Sequence, residues 1–259
     1  MAKKLVEIAE EINMAEIKFK SHLKKTIDKS VFELIEKLNT DTHVYVFSGI
    51  IRNYFLKISD YRDVDIFMEK TIDVEELIKE YNYRKNSFGG YKITINNTNV
   101  DLWFLKDTWA LKNSQQVIDF ELEKYIPNTA FFNFSSIVFS FNENKFYYTK
   151  HFASFLQNKH INLVYELNAN YALCVVNSFY YSDKFKLPLA DKLKNHLKIL
   201  HKSNAGKYED AQLKHFGKIL YTNNDIDNRI NNLTQKTKRR TNNKNLTSSK
   251  LIFPQEILY

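Results

Sequence analysis

The sequence predicts an α+β fold, in which a small mixed sheet lies between N-terminal helices and a C-terminal helical region. Residues 4–38 carry apolar side chains at helical spacing. Between residues 43 and 105, β-branched and aromatic segments alternate with short helices and then with tight turns, a pattern typical of a mixed sheet. From about residue 166 the periodicity is helical again. With 259 residues and 44% hydrophobic side chains, the chain is long enough to bury one large core or two modest ones.

These patterns divide the chain into four predicted segments. They are an N-terminal helical extension over residues 1–39, a sheet domain over 40–165, a C-terminal helical domain over 166–225 and a basic, flexible tail over 226–259. The tail is predicted because its sequence is rich in Asn, Thr and Lys, a composition that does not favour a packed core. Its last residues are apolar and can dock either back on the body of this protein or on a protein partner.

The strands and helices follow from local composition. The predicted strands are 43–47, 63–68, 83–87, 91–95, 99–105, 135–141 and 145–149. The predicted helices after residue 40 are 49–57, 74–81, 170–183, 189–202 and 208–221. Gly89-Gly90 and Asn96-Asn97 are turn signals, so the strands on either side of them are expected to form hairpins.

Charge is distributed unevenly along the chain. Residues 183–259 hold 16 of the 38 Lys and Arg but only 7 of the 30 Asp and Glu, which leaves 22 and 23 for residues 1–182. The formal net charge of +8 therefore arises in the C-terminal part. A basic appendage on a neutral body indicates a polyanionic partner such as nucleic acid.

Composition also excludes several classes of protein. Cys174 is the single cysteine, so an internal disulfide and a cysteine-based zinc site are excluded, and a reducing, cytoplasmic setting is expected. No apolar run approaches the ~20 residues that a membrane span needs, so no membrane partner is expected.

The chemistry is concentrated after the first predicted strand. A turn at Ser48-Gly49 opens a short helix, and free backbone N–H groups at such a helix start suit a phosphate. Asp63 and Asp65 are two residues apart on the next strand, so their side chains point to the same face. Two adjacent carboxylates are costly unless a cation lies between them. This arrangement indicates phosphoryl or nucleotidyl transfer.

A third carboxylate is expected nearby. Asp101 lies in an alternating strand that can pair beside strand 63–68. Three carboxylates from Asp63, Asp65 and Asp101 would form a two-metal site, in which the ions activate the attacking oxygen and stabilise the leaving group.

The ordered set of motifs resembles the head domain of polymerase-β-like nucleotidyltransferases. The most similar branch comprises CCA-adding enzymes and poly(A) polymerases, which read Gly-Gly-x-Val-Arg-Asp-x-Leu-Leu before Asp-x-Asp. This chain has Ser48-Gly49-Ile-Ile-Arg52-Asn53-Tyr-Phe-Leu, then Asp63-Val-Asp65. The resemblance covers residues 43–105 well and 128–185 weakly, as in a divergent bacterial relative. It implies a small mixed-sheet nucleotidyltransferase head that transfers a nucleoside monophosphate from an NTP to a hydroxyl.

The resemblance also implies roles for individual residues. Asp63, Asp65 and Asp101 would hold two Mg²⁺ or Mn²⁺ ions. The triphosphate would contact Ser48, Gly49 and Arg52. Asn133 is the one match to a later family motif and would contact the nucleotide. The basic cluster expected to contact RNA consists of Lys236, Lys238, Arg239 and Arg240.

One part of the family pattern is absent. In CCA-adding enzymes a Glu-Asp-x-x-Arg motif opens the helix that reads the incoming base. Asn170, Tyr171 and Cys174 occupy those positions here, and Asn177 and Tyr180 stand where further arginines are usual. Strict addition of C and then A is therefore not expected.

Three functions remain open from the sequence. The first is metal-dependent transfer of NMP to the 3′ end of RNA, with tRNA as the candidate acceptor. The second is a toxin or defence nucleotidyltransferase that modifies a protein or makes a signalling nucleotide. The third is a catalytically silent module that binds RNA or a protein partner.

Overall fold

The computed structural model describes residues 4–47, 49–86, 89–108 and 122–241. Internal contacts divide the chain into two compact units, residues 1–169 and residues 170–259, which are considered separately. The first unit contains the sheet, and the second is helical in the part that the structure describes. The predicted α+β fold with a mixed sheet is confirmed.

The sheet has seven strands in the spatial order β3-β4-β5-β2-β1-β6-β7. The strands are β1 Val44–Phe47, β2 Asp63–Met68, β3 Asn82–Lys85, β4 Tyr91–Ile95, β5 Thr98–Phe104, β6 Ile137–Ser140 and β7 Lys145–Tyr148. Strands β2 and β5 are parallel and every other neighbouring pair is antiparallel.

The helices agree with the predicted positions to within a few residues in most cases. In the first unit they are α1 Leu5–Thr26, α2 Lys29–Asp41, α3 Gly49–Leu56, α4 Val74–Ile78, α5 Leu122–Tyr125 and α6 Lys150–Asn158. In the second unit they are α7 Tyr171–Phe185, α8 Asp191–Asn204, α9 Tyr208–Phe216 and α10 Asn223–Thr241. Short 3₁₀ turns occur at Leu105–Asp107, Ile126–Thr129 and Asn133–Ser135.

One face of the sheet is covered by helices. Helix α1 buries a single stripe of side chains at helical spacing, namely Ile8, Ile12, Ala15, Phe19 and Leu23. The Phe19 ring packs edge-on against Phe139 of β6 at 4.8 Å between centroids, and it packs at a tilt against Phe146 of β7 at 5.1 Å. Residues 4–38 therefore form two helices that contribute to the core of the sheet. They are separated at Asp28, whose side chain caps α2 by accepting from the Ser30 N–H at 2.8 Å.

The opposite face is apolar in one half and polar in the other. Over β1, β2 and β6 a small second core covers it, with Tyr45, Phe67 and Val138 buried against Leu105 and Ile126. Over β3, β4 and β5 the same face carries charged and polar side chains. Asp101 of β5 lies in this polar half, and Asp63 and Asp65 of the neighbouring strand β2 lie at its border.

Two differences from the sequence prediction have identifiable structural causes. Helix α6 was not predicted; it follows the β6–β7 hairpin because the Thr149 side chain accepts from the His151 and Phe152 N–H groups at its N-terminus. Helix α10 covers residues 226–241, where composition predicts a flexible tail. Buried Ile226 and Ile230 are one helical turn apart, so an apolar contact stabilises the start of this helix in a polar sequence.

The end of the chain, residues 242–259, lies outside the described residues, and this part includes the expected apolar docking segment. Among the described residues, no helix is long and apolar enough to cross a membrane.

Candidate active site

Two of the three predicted carboxylates lie opposite each other. Asp65 of β2 and Asp101 of β5 are register partners in the parallel pair, and Asp63 is opposite Asn99. Val64 and Val100, the intervening residues, are buried on the helix-covered face. The side chains of Asp63, Asp65 and Asp101 therefore share the other face, as alternation predicts.

The charge of Asp65 is poorly accommodated. Burial is the main factor that holds the pKa of Asp65 well above its ordinary value, and the negative charges of Asp63 and Asp101 raise it further. Arg62 and Lys92 offset part of this effect. A carboxylate in this environment favours either a proton or a cation.

Two basic side chains hold the outer carboxylates. Arg62 donates to Asp63 Oδ2 from Nε at 2.9 Å and from Nη2 at 2.6 Å. Lys92 Nζ lies 2.9 Å from Asp101 Oδ1 and 3.1 Å from Oδ2. Both cations are about half exposed, whereas Asp63 and Asp101 are 18% and 19% exposed. The carboxylates thus have charge partners without a metal ion.

The donor chemistry fits a hard divalent cation. Carboxylate oxygens are the ligands that Mg²⁺ and Mn²⁺ prefer. Burial and the charges of Asp63 and Asp101 raise the pKa of Asp65, so a bound cation would favour the charged form of this carboxylate. In the described part of the chain, no group of three or more His, Cys, Asp or Glu residues is arranged as a metal site. Because Asp63 is held by Arg62, it would have to leave that ion pair to become a third ligand.

The start of helix α3 lies near strand β2, which carries Asp65. Phe47 of β1 is the register partner of Asp65, and α3 begins two residues later at Gly49. The Arg52 Nη2 atom would lie 3.8 Å from a Cβ atom at Gly49. The guanidinium is therefore beside the backbone that is predicted to bind phosphate. Ser48 lies outside the described residues.

Arg52 is positioned by its neighbours. It is buried, its Nε donates to Asn53 Oδ1 at 3.0 Å, and its guanidinium lies over the Phe134 ring at 5.2 Å. Asn53 is also buried and donates to the backbone oxygen of Asp60. Asn53 thus ties Arg52 to the loop that leads into β2 and Asp63.

Asn133 has a structural role in this protein. Its side chain is buried, donates from Nδ2 to the His160 oxygen at 2.9 Å, and accepts from the Asn162 N–H at Oδ1 at 2.9 Å. These bonds fix the segment after α6. The predicted contact of Asn133 with a nucleotide remains a prediction.

The predicted RNA contacts and base-reading positions lie in the second unit. Lys236, Lys238, Arg239 and Arg240 belong to helix α10, and their side chains are outside the described residues. On α7, Asn170 caps the helix by accepting from the Leu173 N–H at 3.0 Å. Cys174 is buried, and burial raises the pKa of its thiol to about 12. These two positions therefore serve the helix itself.

Sequence reasoning missed Arg62, Lys92 and Asn53. Two signals were present: Arg62 directly precedes the Asp-x-Asp motif, and the Asn96-Asn97 turn fixes the register that places Lys92 opposite Asp101. Asn53 stands where the CCA-adding enzymes have Asp. Its contact with Asp60 depends on the path of the loop between α3 and β2, which the sequence pattern does not show.

No family model and no curated relative matches the sequence. Among solved structures, the chain is similar to a CCA-adding enzyme in complex with ATP, with 14% identity and a TM-score of 0.60 over 82% of this chain and 53% of that chain. A CCA-adding enzyme in complex with CTP has 13% sequence identity and a TM-score of 0.60, over 82% of this chain and 54% of that chain. The Thermotoga maritima CCA-adding enzyme complexed with tRNA has 13% sequence identity and a TM-score of 0.58. This match covers 82% of this chain and 53% of that chain.

These similarities define the class of fold. The chain has a nucleotidyltransferase-like fold, as the motifs from Gly49 to Asp101 imply. It spans about half the length of the solved enzymes that it matches.

Proposed function

We propose that this protein is a metal-dependent nucleotidyltransferase that transfers NMP from an NTP to the 3′ end of RNA, with tRNA as the candidate acceptor. The observation that carries the proposal is the placement of Asp65 and Asp101 on one sheet face beside the Gly49–Arg52 helix start. The similar solved enzymes are described in complex with ATP, CTP and tRNA, which supports an NTP and an RNA as substrates.

In the proposed reaction, the backbone at Gly49 and the Arg52 guanidinium bind and orient the triphosphate. Asp63, Asp65 and Asp101 would hold two Mg²⁺ or Mn²⁺ ions, which supply Lewis-acid activation of the hydroxyl and charge neutralisation at the leaving group. The acceptor oxygen bonds to the α-phosphorus, the α–β phosphoanhydride bond breaks and pyrophosphate leaves. The hydroxyl proton passes to solvent or to a carboxylate oxygen.

The experiment is an incubation of the protein with Mg²⁺ or Mn²⁺, tRNA or total RNA, and each labelled NTP in turn. We expect label on RNA with the wild type and none with Asp65→Asn or Asp101→Asn. Asp41→Asn, a change at the end of α2, is the matched control and should label RNA normally. Absence of label on RNA for every NTP, or equal labelling by the Asp65→Asn variant, would refute the proposal. Label on protein bands or in a small product would support the toxin or defence alternative.

A second candidate is an RNA-binding module without catalysis. The ion pairs of Arg62 with Asp63 and of Lys92 with Asp101 favour it, because they neutralise two carboxylates without metal. This candidate predicts salt-sensitive binding of RNA through Lys236, Lys238, Arg239 and Arg240, and no metal-dependent affinity for NTP.

A further inference from the structure

Four charged side chains form one row across the polar half of the sheet. Arg84 of β3 is the register partner of Lys92 of β4, Lys92 is the partner of Asp101 of β5, and Asp101 is the partner of Asp65 of β2. We call this set the charged row. Because register partners share a face, two cations continue the line of the two carboxylates toward the sheet edge.

The surface around the charged row is polar and exposed. The neighbouring row consists of Asn82, Thr94 and Asn99, and all three are exposed. Arg84 is exposed, and 47% of the Lys92 side chain is exposed. The alternate residues of β4 and β5, such as Ile93 and Val100, are buried on the other face. This half of the sheet therefore presents hydrogen-bond donors and positive charge to solvent.

The position of Arg84 is unfavourable for folding alone. Like charges directly opposite each other on paired strands are destabilising, and Arg84 faces Lys92. Within the described residues, Arg84 has no acidic partner. Its chain neighbour Lys85 has an ordinary structural role, since it forms an ion pair with Glu75 and its Nζ lies 5.6 Å from the centre of the Tyr91 ring. A polyanion bound at this surface would supply the negative partner charge that Arg84 lacks among the described residues.

The two sides of the carboxylates have different neighbours. On the β1 side, Asp65 is opposite Phe47, and the chain continues to Gly49 and Arg52, where the proposed function puts the triphosphate. On the β4 side, Asp101 is opposite Lys92. Transfer requires the acceptor to approach from the side away from the triphosphate, because the new bond forms opposite the leaving pyrophosphate. That side is the one with Lys92 and Arg84.

We propose that Arg84 and Lys92 bind backbone phosphates of the RNA acceptor and direct its 3′ end toward Asp101. This inference rests on the proposed function and assigns Arg84 and Lys92 to the binding of its RNA acceptor. Strand spacing places the two residues about 5 Å apart at their Cα atoms, so both side chains reach the same or adjacent phosphates. Lys92 is shared with Asp101, and a divalent cation bound by that carboxylate would release Lys92 toward the RNA.

The test measures binding of a short single-stranded RNA by fluorescence anisotropy, without NTP, with and without Mg²⁺, over a range of salt concentrations. We expect Arg84→Gln and Lys92→Gln each to weaken binding about twofold to fivefold at low salt. Each variant should also make the slope of log affinity against log salt shallower by about 0.7. The Lys92→Gln effect should be larger with Mg²⁺. Lys85→Gln, which removes one positive charge from the same strand but the other face, is the matched control and should change neither quantity.

The outcomes separate this inference from the proposed function. Unchanged RNA affinity and salt slope in Arg84→Gln and Lys92→Gln would overturn the inference, even if the wild type labels RNA. An equal loss in Lys85→Gln would also overturn it, because the effect would then reflect net charge or protection of the sheet edge. A wild type that binds RNA through Arg84 and Lys92 but labels no acceptor would support the inference and refute the proposed catalysis. Circular dichroism of each variant verifies that the fold is retained.

Discussion

Asp65 and Asp101 lie directly opposite each other on parallel strands β2 and β5, so two carboxylates share one face of the sheet beside a small apolar core. Burial and the neighbouring negative charges raise the pKa of Asp65 well above its ordinary value. Each unit of raised pKa corresponds to about 1.4 kcal/mol of unfavourable ionisation. Carboxylates with strongly shifted pKa values often lie at functional sites, so Asp65 and Asp101 are candidates for such a site.

The first prediction concerns the stability cost of Asp65. We expect Asp65→Asn to raise the free energy of unfolding by about 1 kcal/mol near neutral pH, since it removes a partly buried charge next to Asp101. Because the folded pKa is raised, the cost is absent below the unfolded pKa of about 4, grows as pH rises from there to the folded pKa, and is constant above it. Urea denaturation near pH 4 and near pH 7 should therefore show a larger gain at the higher pH.

The Asp65→Asn variant also tests whether a divalent cation binds at this site. Mg²⁺ or Mn²⁺ should raise the melting temperature of the wild type, because a ligand of the folded state stabilises it, and should have little effect on Asp65→Asn. Asp41→Asn should behave as wild type in both measurements. A lower stability of Asp65→Asn at neutral pH would show that the carboxylate is a net structural contributor.

Much of this site could be predicted from local sequence. The Asp-x-Asp alternation puts Asp63 and Asp65 on one face, and the Asn96-Asn97 turn, with φ angles of 46° and 68°, fixes a two-residue hairpin that pairs Ile95 with Thr98. Counting outward from that turn pairs Lys92 with Asp101. The ion pair was therefore available from the sequence once the register was followed.

Other features depend on contacts that local patterns do not contain. The side chain of Asn133 is bonded to backbone groups of residues 160 and 162, a partner segment almost thirty residues away. Helix α10 is polar overall, and its first turns are ordered by the burial of Ile226 and Ile230 against other elements. The nucleotide contact of Asn133 was expected from the family resemblance and stays a prediction, whereas the flexible tail was expected from composition, which does not show such distant contacts.

The second prediction contrasts two glycines in the sheet domain. A Cβ atom at Gly90 would lie 2.8 Å from the Leu102 oxygen and 2.8 Å from Trp103 Cβ, so backbone atoms of β5 would have to shift. We expect Gly90→Ala to lower the free energy of unfolding by about 1–3 kcal/mol, as overpacking does. At Gly49 the added methyl group would lie at ordinary contact distance, 3.8 Å, from Arg52 Nη2, so Gly49→Ala should leave the stability nearly unchanged.

Gly49→Ala then provides a folded variant for the phosphate site. If the backbone at the start of α3 binds the triphosphate closely, the added methyl group should weaken NTP binding in equilibrium dialysis while urea denaturation matches the wild type. Equal stability of Gly90→Ala and wild type would contradict the close approach of β4 and β5 at this point.

The third prediction separates the two roles considered for Asn133. Replacement by Ala removes the bonds to the His160 oxygen and the Asn162 N–H and leaves these partners unsatisfied. We expect a loss of about 1–3 kcal/mol in the free energy of unfolding. Asn158→Ala, which removes an exposed bond to Ser154, is the control and should cost well under 1 kcal/mol. A stable Asn133→Ala variant with weaker NTP binding would instead support the nucleotide contact.

The fourth prediction concerns an ion pair in the helical second unit. Arg229 holds Asp183 with Nη1 at 3.1 Å from Oδ1 and Nη2 at 2.8 Å from Oδ2, and the Tyr221 hydroxyl donates to Oδ2 at 2.6 Å. Burial alone would raise the pKa of Asp183, but the bonds from Arg229 and Tyr221 outweigh it, and the net shift is downward. Tyr221→Phe should therefore move the pKa of Asp183 upward, which NMR titration of the side chain measures.

The effect on stability has a defined pH dependence. A lowered folded pKa contributes stability above the unfolded pKa of about 4, and this stability is lost as pH falls through the folded pKa. Because the Asp183 side chain is 47% exposed, we expect Tyr221→Phe to cost only about 0.5–1 kcal/mol near neutral pH and less in acid. Tyr171→Phe, at the start of α7, is the matched control and should show no such dependence. A cost that is equal at both pH values would mean that Tyr221 stabilises the unit through packing of its ring beneath Arg229, whose guanidinium carbon lies 4.7 Å from the ring centre.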